Sequence, residues 1–147
     1  MANEARAPRS EPQPIHKWET PEVGWVKINS DGAVSMAGTN GGGCTVLQDH
    51  QAAFVAGASS FFPGIVDPEA VETLACRKAI QMALDMNIQR VHLELDCKTL
   101  VAKINNPAMN LSAIGPWVQE IKTMVSLFLE FKVTWILDNL EIWLRIR

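Results

Sequence analysis

The sequence predicts a single α/β domain: a mixed β-sheet with helices packed against it. Three observations carry that expectation. Residues 25–31 alternate polar and apolar side chains as a strand does, the stretch after Asp67-Pro68 changes to helical spacing, and residues 91–96 return to alternation. A strand that leads through a helix into another strand implies a right-handed crossover onto a parallel neighbour. A chain of 147 residues is the size of one domain, able to bury roughly two-thirds of its unfolded surface.

Residues 1–22 carry four of the eight prolines among Ala, Glu, Arg, Ser and Gln, with few apolar anchors. That composition cannot offset the entropy of ordering, so a disordered Pro-rich tail is expected, with order beginning near Trp18 to Trp25. The domain proper is expected over residues 23–136. Its first strand is Trp25 to Asp31, with Val26 and Ile28 on one face and Lys27, Asn29 and Asp31 on the other; Gly32 ends it. Gly38 to Gly43, which includes Asn40-Gly41, reads as a turn. Cys44 to Leu47 is a second strand, Asp49-His50-Gln51 a tight turn, and Ala52 to Ala58 a returning third strand, together an antiparallel meander.

A helix follows over Glu69 to Asn87, with Leu74, Ala75, Ile80, Ala83 and Leu84 near helical spacing. Asp67 suits its N-cap, Pro68 its first position, and Glu69 its positive end. Val91 to Asp96 is a strand that buries Val91, Leu93 and Leu95, leaving Glu94 as an exposed strand residue. Thr99 to Asn105 is a short helix stopped around Asn106-Pro107. Ser112 to Leu129 is a longer helix with Ile114, Val118, Ile121, Val125 and Phe128 as its stripe, and Lys132 to Ile136 is the last strand. The order is β-β-β-α-β-α-α-β, followed by a divergent tail at 137–147.

Composition excludes several classes. No apolar run approaches the ~20 residues of a membrane span, and the first residues lack the apolar region of a secretory signal. Cys44, Cys76 and Cys97 are odd in number with no CxxC pair, which argues against zinc sites and disulfide frameworks. Free thiols in a reducing intracellular compartment, nucleus or cytoplasm, and a monomeric chain are the expectation. A net charge of −3 is not that of a generally basic nucleic-acid binder, so phosphate contacts must come from local patches or bound cations.

In mixed sheets of this kind, sites form at the carboxyl ends of strands beside the switch in strand order. Asp31 ends the first strand and Asp96 the fourth. The segment Gly24-Trp25-Val26-Lys27-Ile28-Asn29-Ser30-Asp31-Gly32-Ala33 resembles the opening strand of the ribonuclease H-like domains common in plant proteins and retroelements. Asp67-Pro68-Glu69-Ala70-Val71-Glu72-Thr73-Leu74-Ala75-Cys76-Arg77-Lys78-Ala79 resembles that family's first helix, with Val71-Glu72 where Ala-Glu is usual. Leu93-Glu94-Leu95-Asp96-Cys97-Lys98-Thr99-Leu100 resembles its fourth strand and the turn after it. The three motifs stand in the family's order and at its separations, over roughly residues 18 to 136.

The resemblance implies a five-stranded mixed sheet whose first and fourth strands are neighbours. Asp31 and Asp96 would then lie side by side, with Glu72 pointing at them from the helix. Crowded carboxylates repel unless cations sit between them, and hard oxygen ligands suit Mg²⁺ or Mn²⁺. Two such ions about 4 Å apart can activate water and stabilise the leaving oxygen of a phosphodiester. The implied substrate is the RNA strand of an RNA–DNA hybrid, read through groove shape and 2′-hydroxyls. Lys98, next to Asp96, is a candidate phosphate contact by position.

Each residue also has an ordinary reading. An Asp before Gly is commonly a turn residue, Asp96 could cap the helix after it, and a lone helical Glu is usually solvated. Asp49 is read as turn chemistry. His16, His50 and His92 are read as structural or solvated, and Trp25, Trp117 and Trp135 as packing residues.

The chain departs from the family at its end. The family's C-terminal helix is expected to be truncated or altered here, its fourth carboxylate falls near Arg145, and Asp138 and Glu141 are out of register for it. Its catalytic-loop His has no counterpart. Two functions are therefore expected to compete: a metal-dependent hybrid ribonuclease using Asp31, Glu72 and Asp96, and a catalytically impaired nucleic-acid-binding or interaction module on the same scaffold.

Overall fold

Residues 18–137 are described by a computed structural model, and they form the elements in the expected order. These are β1 (Val26–Val34), β2 (Asn40–Gln48), β3 (Phe54–Pro63), α1 (Pro68–Asp85), β4 (Arg90–Leu95), α2 (Lys98–Asn105), α3 (Gly115–Val125) and β5 (Glu130–Trp135). The strands make one five-stranded sheet in the order β3-β2-β1-β4-β5. β1, β2 and β3 pair antiparallel, whereas β1–β4 and β4–β5 are parallel. This is the ribonuclease H-like fold. The expectations for residues 1–17, for the tail after 137 and for Arg145 lie outside the described residues.

The first helix begins and ends for identifiable reasons. Asp67 caps it, its carboxylate accepting from the Ala70 amide at 2.9 Å, and Pro68 fills the first position. At the other end Asn87 takes φ 58°, the left-handed conformation that Asn tolerates. The Ile88 amide then reaches back to the Ala83 carbonyl at 3.1 Å and the Asn87 amide to Leu84 at 3.0 Å, which satisfies two terminal carbonyls. α1 lays Val71, Ala75, Cys76, Ala79, Ile80 and Ala83 against the sheet, where Ile28, Leu47, Val91, Leu93 and Leu95 are fully buried. Each such aliphatic side chain contributes roughly 1.5–3 kcal/mol.

The glycine run is not the turn that its Asn-Gly pair suggests. The turn comes earlier, with Gly38 at φ 68° and its amide bonded to the Ser35 carbonyl at 2.8 Å. Gly41, Gly42 and Gly43 belong to β2. Packing decides this, because α1 crosses so close that no side chain fits. A Cβ on Gly43 would stand 2.7 Å from the Ala75 Cβ, and one on Gly41 2.8 Å from the Ile65 carbonyl oxygen. Gly32, expected to end the first strand, is likewise inside β1. The third helix is shorter than its apolar stripe suggested, since Ser112 and Ala113 form a turn before it and it ends at Val125.

Glu94 departs from its expected exposure, and the amino-terminal segment is the reason. Glu94 is buried, and so are Lys27 and Asn29 on the adjoining strand. Trp18 lies over this face at 4 % exposure, packed with Val46 and Ile136, and donates its indole N–H to Asn29 at 3.1 Å. Asn29 donates in turn to Glu94 at 3.0 Å, and Lys27 pairs with Glu94 at 3.1 Å beneath the Trp18 ring. Among the described residues the packing therefore reaches back to Trp18, inside the span where order is expected to begin, and this segment shields a charged pair from water.

Two stability predictions follow from this packing. Gly43→Ala should lose about 1–3 kcal/mol in urea unfolding through overpacking against Ala75. Glu94→Ala should lose about 3–5 kcal/mol, because it leaves the Lys27 ammonium buried without its partner.

Candidate metal centre

Strand register builds the first half of the site. Asn29 pairs with Glu94 across the parallel β1–β4 ladder, so two residues farther along each strand Asp31 and Asp96 arrive side by side. α1 supplies the third member. A Cβ on Gly32 would meet the Glu72 backbone nitrogen at 3.0 Å and Val71 Cγ1 at 2.9 Å, so α1 passes directly over β1 at this point. One carboxylate oxygen from each of Asp31, Glu72 and Asp96 then lies within 4.8 Å of the other two, and all three residues are partly buried.

The electrostatics of Glu72 follow from that crowding. Burial first, then a hydrogen bond shared with Asp31 and the charges of Asp96 and Asp31, push its pKa from 4.5 up to about 9; a bond from the Gly32 backbone opposes this. Its Oε2 is buried without a hydrogen-bond partner. An orphaned oxygen on a carboxylate that converges with two others fits a hard divalent cation, and the all-oxygen donor set suits Mg²⁺ or Mn²⁺.

Of the ordinary readings, the helix cap at Asp96 is not what the structure shows. The N-cap position of α2 is Cys97, which makes no side-chain cap bond. Lys98 is exposed, and its ammonium sits 5.0 Å from the centre of the Trp135 ring. Trp135 also donates its indole N–H to the Asp96 carbonyl at 3.2 Å. This contact has no signature in the sequence beyond an aromatic residue near the end of a strand. Farther along, Glu69 ties α1 to α2, accepting from Thr99 at 2.7 Å and pairing with Lys103, whose hydrogen bond holds the Glu69 carboxyl below its ordinary pKa.

The remaining candidates sit elsewhere. Asp49 is turn chemistry, accepting from the Gln51 and Ala53 amides at 2.9 and 3.0 Å. His92 lies 2.7 Å from the Thr134 hydroxyl, its pKa lowered to about 4 by burial and by Lys27 and Lys132, so it stays neutral. Cys44, Cys76 and Cys97 are free thiols, and burial, then Glu72 and Cys97, pushes the Cys76 pKa upward. Among the described residues no helix is long and apolar enough to cross a membrane.

Comparison with known proteins agrees with this fold. The profile of the reverse transcriptase-like family matches residues 29–139. No curated protein matches the chain. The solved structure of RNase H1 from the halophilic archaeon Halobacterium salinarum NRC-1 superposes with a TM-score of 0.69 at 16% identity, over 76% of this chain and 85% of that one. The N-terminal RNase H domain of Rv2228c from Mycobacterium tuberculosis, solved as a fusion with maltose-binding protein, gives 0.72 at 13% identity over 81% and 86%. LC11-RNase H1, solved in complex with an RNA/DNA hybrid, gives 0.65 at 13% identity over 76% and 84%.

The Glu72 environment predicts a pH dependence of stability. Glu72 holds its proton more tightly folded than unfolded, so between its ordinary value of 4.5 and the folded value of about 9 the folded state carries the extra proton. Stability must then fall as pH rises across that window. In chelator-treated protein the thermal midpoint should decline between about pH 5 and 8.5, and Glu72→Gln should flatten the decline. A midpoint equally pH-dependent in both proteins would contradict the assignment.

Proposed function

The chain belongs to the reverse transcriptase-like family, whose profile spans residues 29–139, and from that premise we propose that it is a divalent-metal-dependent ribonuclease acting on the RNA strand of RNA–DNA hybrids. The observation that carries this reading is the convergence of the Asp31, Glu72 and Asp96 carboxylates, with the buried Glu72 Oε2 lacking a partner. A metal ion bound there would supply Lewis-acid stabilisation of a phosphodiester and a water of lowered pKa.

The protein's own groups divide the remaining work. Asp31 is carried within β1, and Asp96 stands one residue past the end of the adjacent parallel strand β4, so the sheet register brings the two together. Glu72 arrives on a helix capped at both ends, and its raised pKa means that cation binding displaces a proton from it. Asp31 also lines an open groove of about 620 Å³ that runs over Gly42, Cys44, Ser60 and Phe61. Asp31 is thereby the member of the cluster that opens onto this groove. Lys98, exposed two residues beyond Asp96, would be the phosphate contact in this reading. A hybrid read by shape and by 2′-hydroxyls asks for no base-specific side chains, in keeping with a site built from backbone, carboxylates and one ammonium.

Cleavage of an RNA–DNA hybrid should require Mg²⁺ or Mn²⁺ and stop on chelation. Asp96→Asn should lower the rate by roughly 100-fold or more, since it removes a ligand where loss of even an outer-shell contact costs 10–100-fold. Wild type and Asp96→Asn equally inactive with both metals would sink the proposal. Hybrid binding that persists without metal and in Asp31→Asn would instead identify a non-catalytic binding module.

A further inference from the structure

We infer that Trp135 is a positioning residue of the metal centre: its indole N–H, bonded to the Asp96 carbonyl, fixes the turn from which the Asp96 carboxylate meets Asp31 and Glu72. The inference rests on the metal-site reading proposed above and assigns that site an outer member on a different strand.

Asp96 occupies a vulnerable position in the chain. β4 ends at Leu95, whose carbonyl accepts from the Ile136 amide at 2.8 Å. Asp96 lies one residue past that bond and one residue before the α2 N-cap, and Cys97 makes no side-chain cap bond there. The carboxylate that must meet two others within 4.8 Å thus starts from the linker between a strand and a helix. The Trp135 indole bridges this linker, with 3.2 Å between its nitrogen and the Asp96 oxygen.

Trp135 is itself well anchored. It pairs with Leu95 in the β4–β5 register, and its side chain is partly buried against the main core. The Lys98 ammonium lies 5.0 Å from the ring centroid, so one side chain touches both ends of the Asp96-Cys97-Lys98 turn. A cation over an indole face is attracted by its quadrupole, which restrains Lys98 as well. Groups that orient a metal ligand by hydrogen bonding commonly change metal affinity by 10–100-fold when removed.

The test separates the N–H from the ring. Trp135→Phe keeps an aromatic face for Lys98 but cannot donate, and Trp117→Phe removes a partly buried tryptophan of α3 as a control. Calorimetric titration with MgCl₂ and MnCl₂ should show affinity falling roughly ten-fold in Trp135→Phe and remaining within about twofold of wild type in Trp117→Phe. In the wild-type NMR spectrum the Trp135 indole proton should exchange slowly with solvent and shift when metal is added. A folded Trp135→Phe that binds both ions as wild type does overturns the inference. So does a fast-exchanging, metal-insensitive Trp135 indole proton in wild type, a readout that does not depend on the variant folding. If wild type binds neither ion, the metal reading itself fails. That result is distinct from equal binding by wild type and variant, which removes Trp135 alone.

Discussion

The closeness with which α1 lies on the glycines of β1 and β2 is the constraint on which the rest of this structure depends. Gly32, Gly41 and Gly43 each face a helix residue or backbone atom at a distance where a methyl group would collide. Their absence of side chains gives up buried apolar area and backbone entropy, each about a kilocalorie or less per position. In return the Glu72 backbone comes within van der Waals range of β1. A helix held one methyl farther out would carry Glu72 away from Asp31, and three carboxylate oxygens could not share a sphere of under 5 Å. The site is therefore a consequence of packing before it is a consequence of carboxylates.

The second half of the geometry comes from the sheet. A parallel ladder between β1 and β4 fixes relative height as firmly as backbone hydrogen bonds can; Asp31 lies inside β1 and Asp96 one residue past the end of β4. The parallel pairing is itself required by the crossover through α1. β4 then lies beside β1, on the side away from β2, which makes Asp31 and Asp96 neighbours. The β3-α1-β4 connection carries Glu72 and leads into Asp96, and the β1-β2-β3 meander places Asp31 beside them.

This explains why much of the fold was legible and some of it was not. Alternation in residues 26–31 and 91–95, the Asp67-Pro68 start of α1 and the motif around each carboxylate are local features, and each survived folding where the sequence placed it. The glycine run was misread because Asn40-Gly41 is a local turn signal. The reason for glycine there is tertiary and sits on a helix about thirty residues away. Glu94 was misread because a polar residue alternating with Val91, Leu93 and Leu95 normally faces water. Only the return of Trp18 over that face closes it, and an isolated tryptophan in a Pro-rich stretch gives no sign of where it will lie. The Trp135 contact was invisible for a related reason: its partner is a backbone carbonyl on another strand, which no residue type announces.

The corrected Glu94 sharpens the meaning of the acidic cluster. β1 and β4 carry two successive layers of charge. In the layer of Asn29 and Glu94 the chain provides its own compensation: the Lys27 ammonium and the Asn29 amide meet the carboxylate, and the Trp18 indole donates to the Asn29 side-chain oxygen, so the buried carboxylate has its partners. Two residues farther along the same strands the pattern reverses. Asp31 and Asp96 are joined by a third carboxylate rather than by an ammonium, and Glu72 responds by holding a proton far above its usual range. A protein that could place a lysine in one layer had the means to place one in the next. The second layer keeps three acids together at a cost in stability, and under the proposed metal reading a cation from solution would take the physical role that Lys27 fills below it.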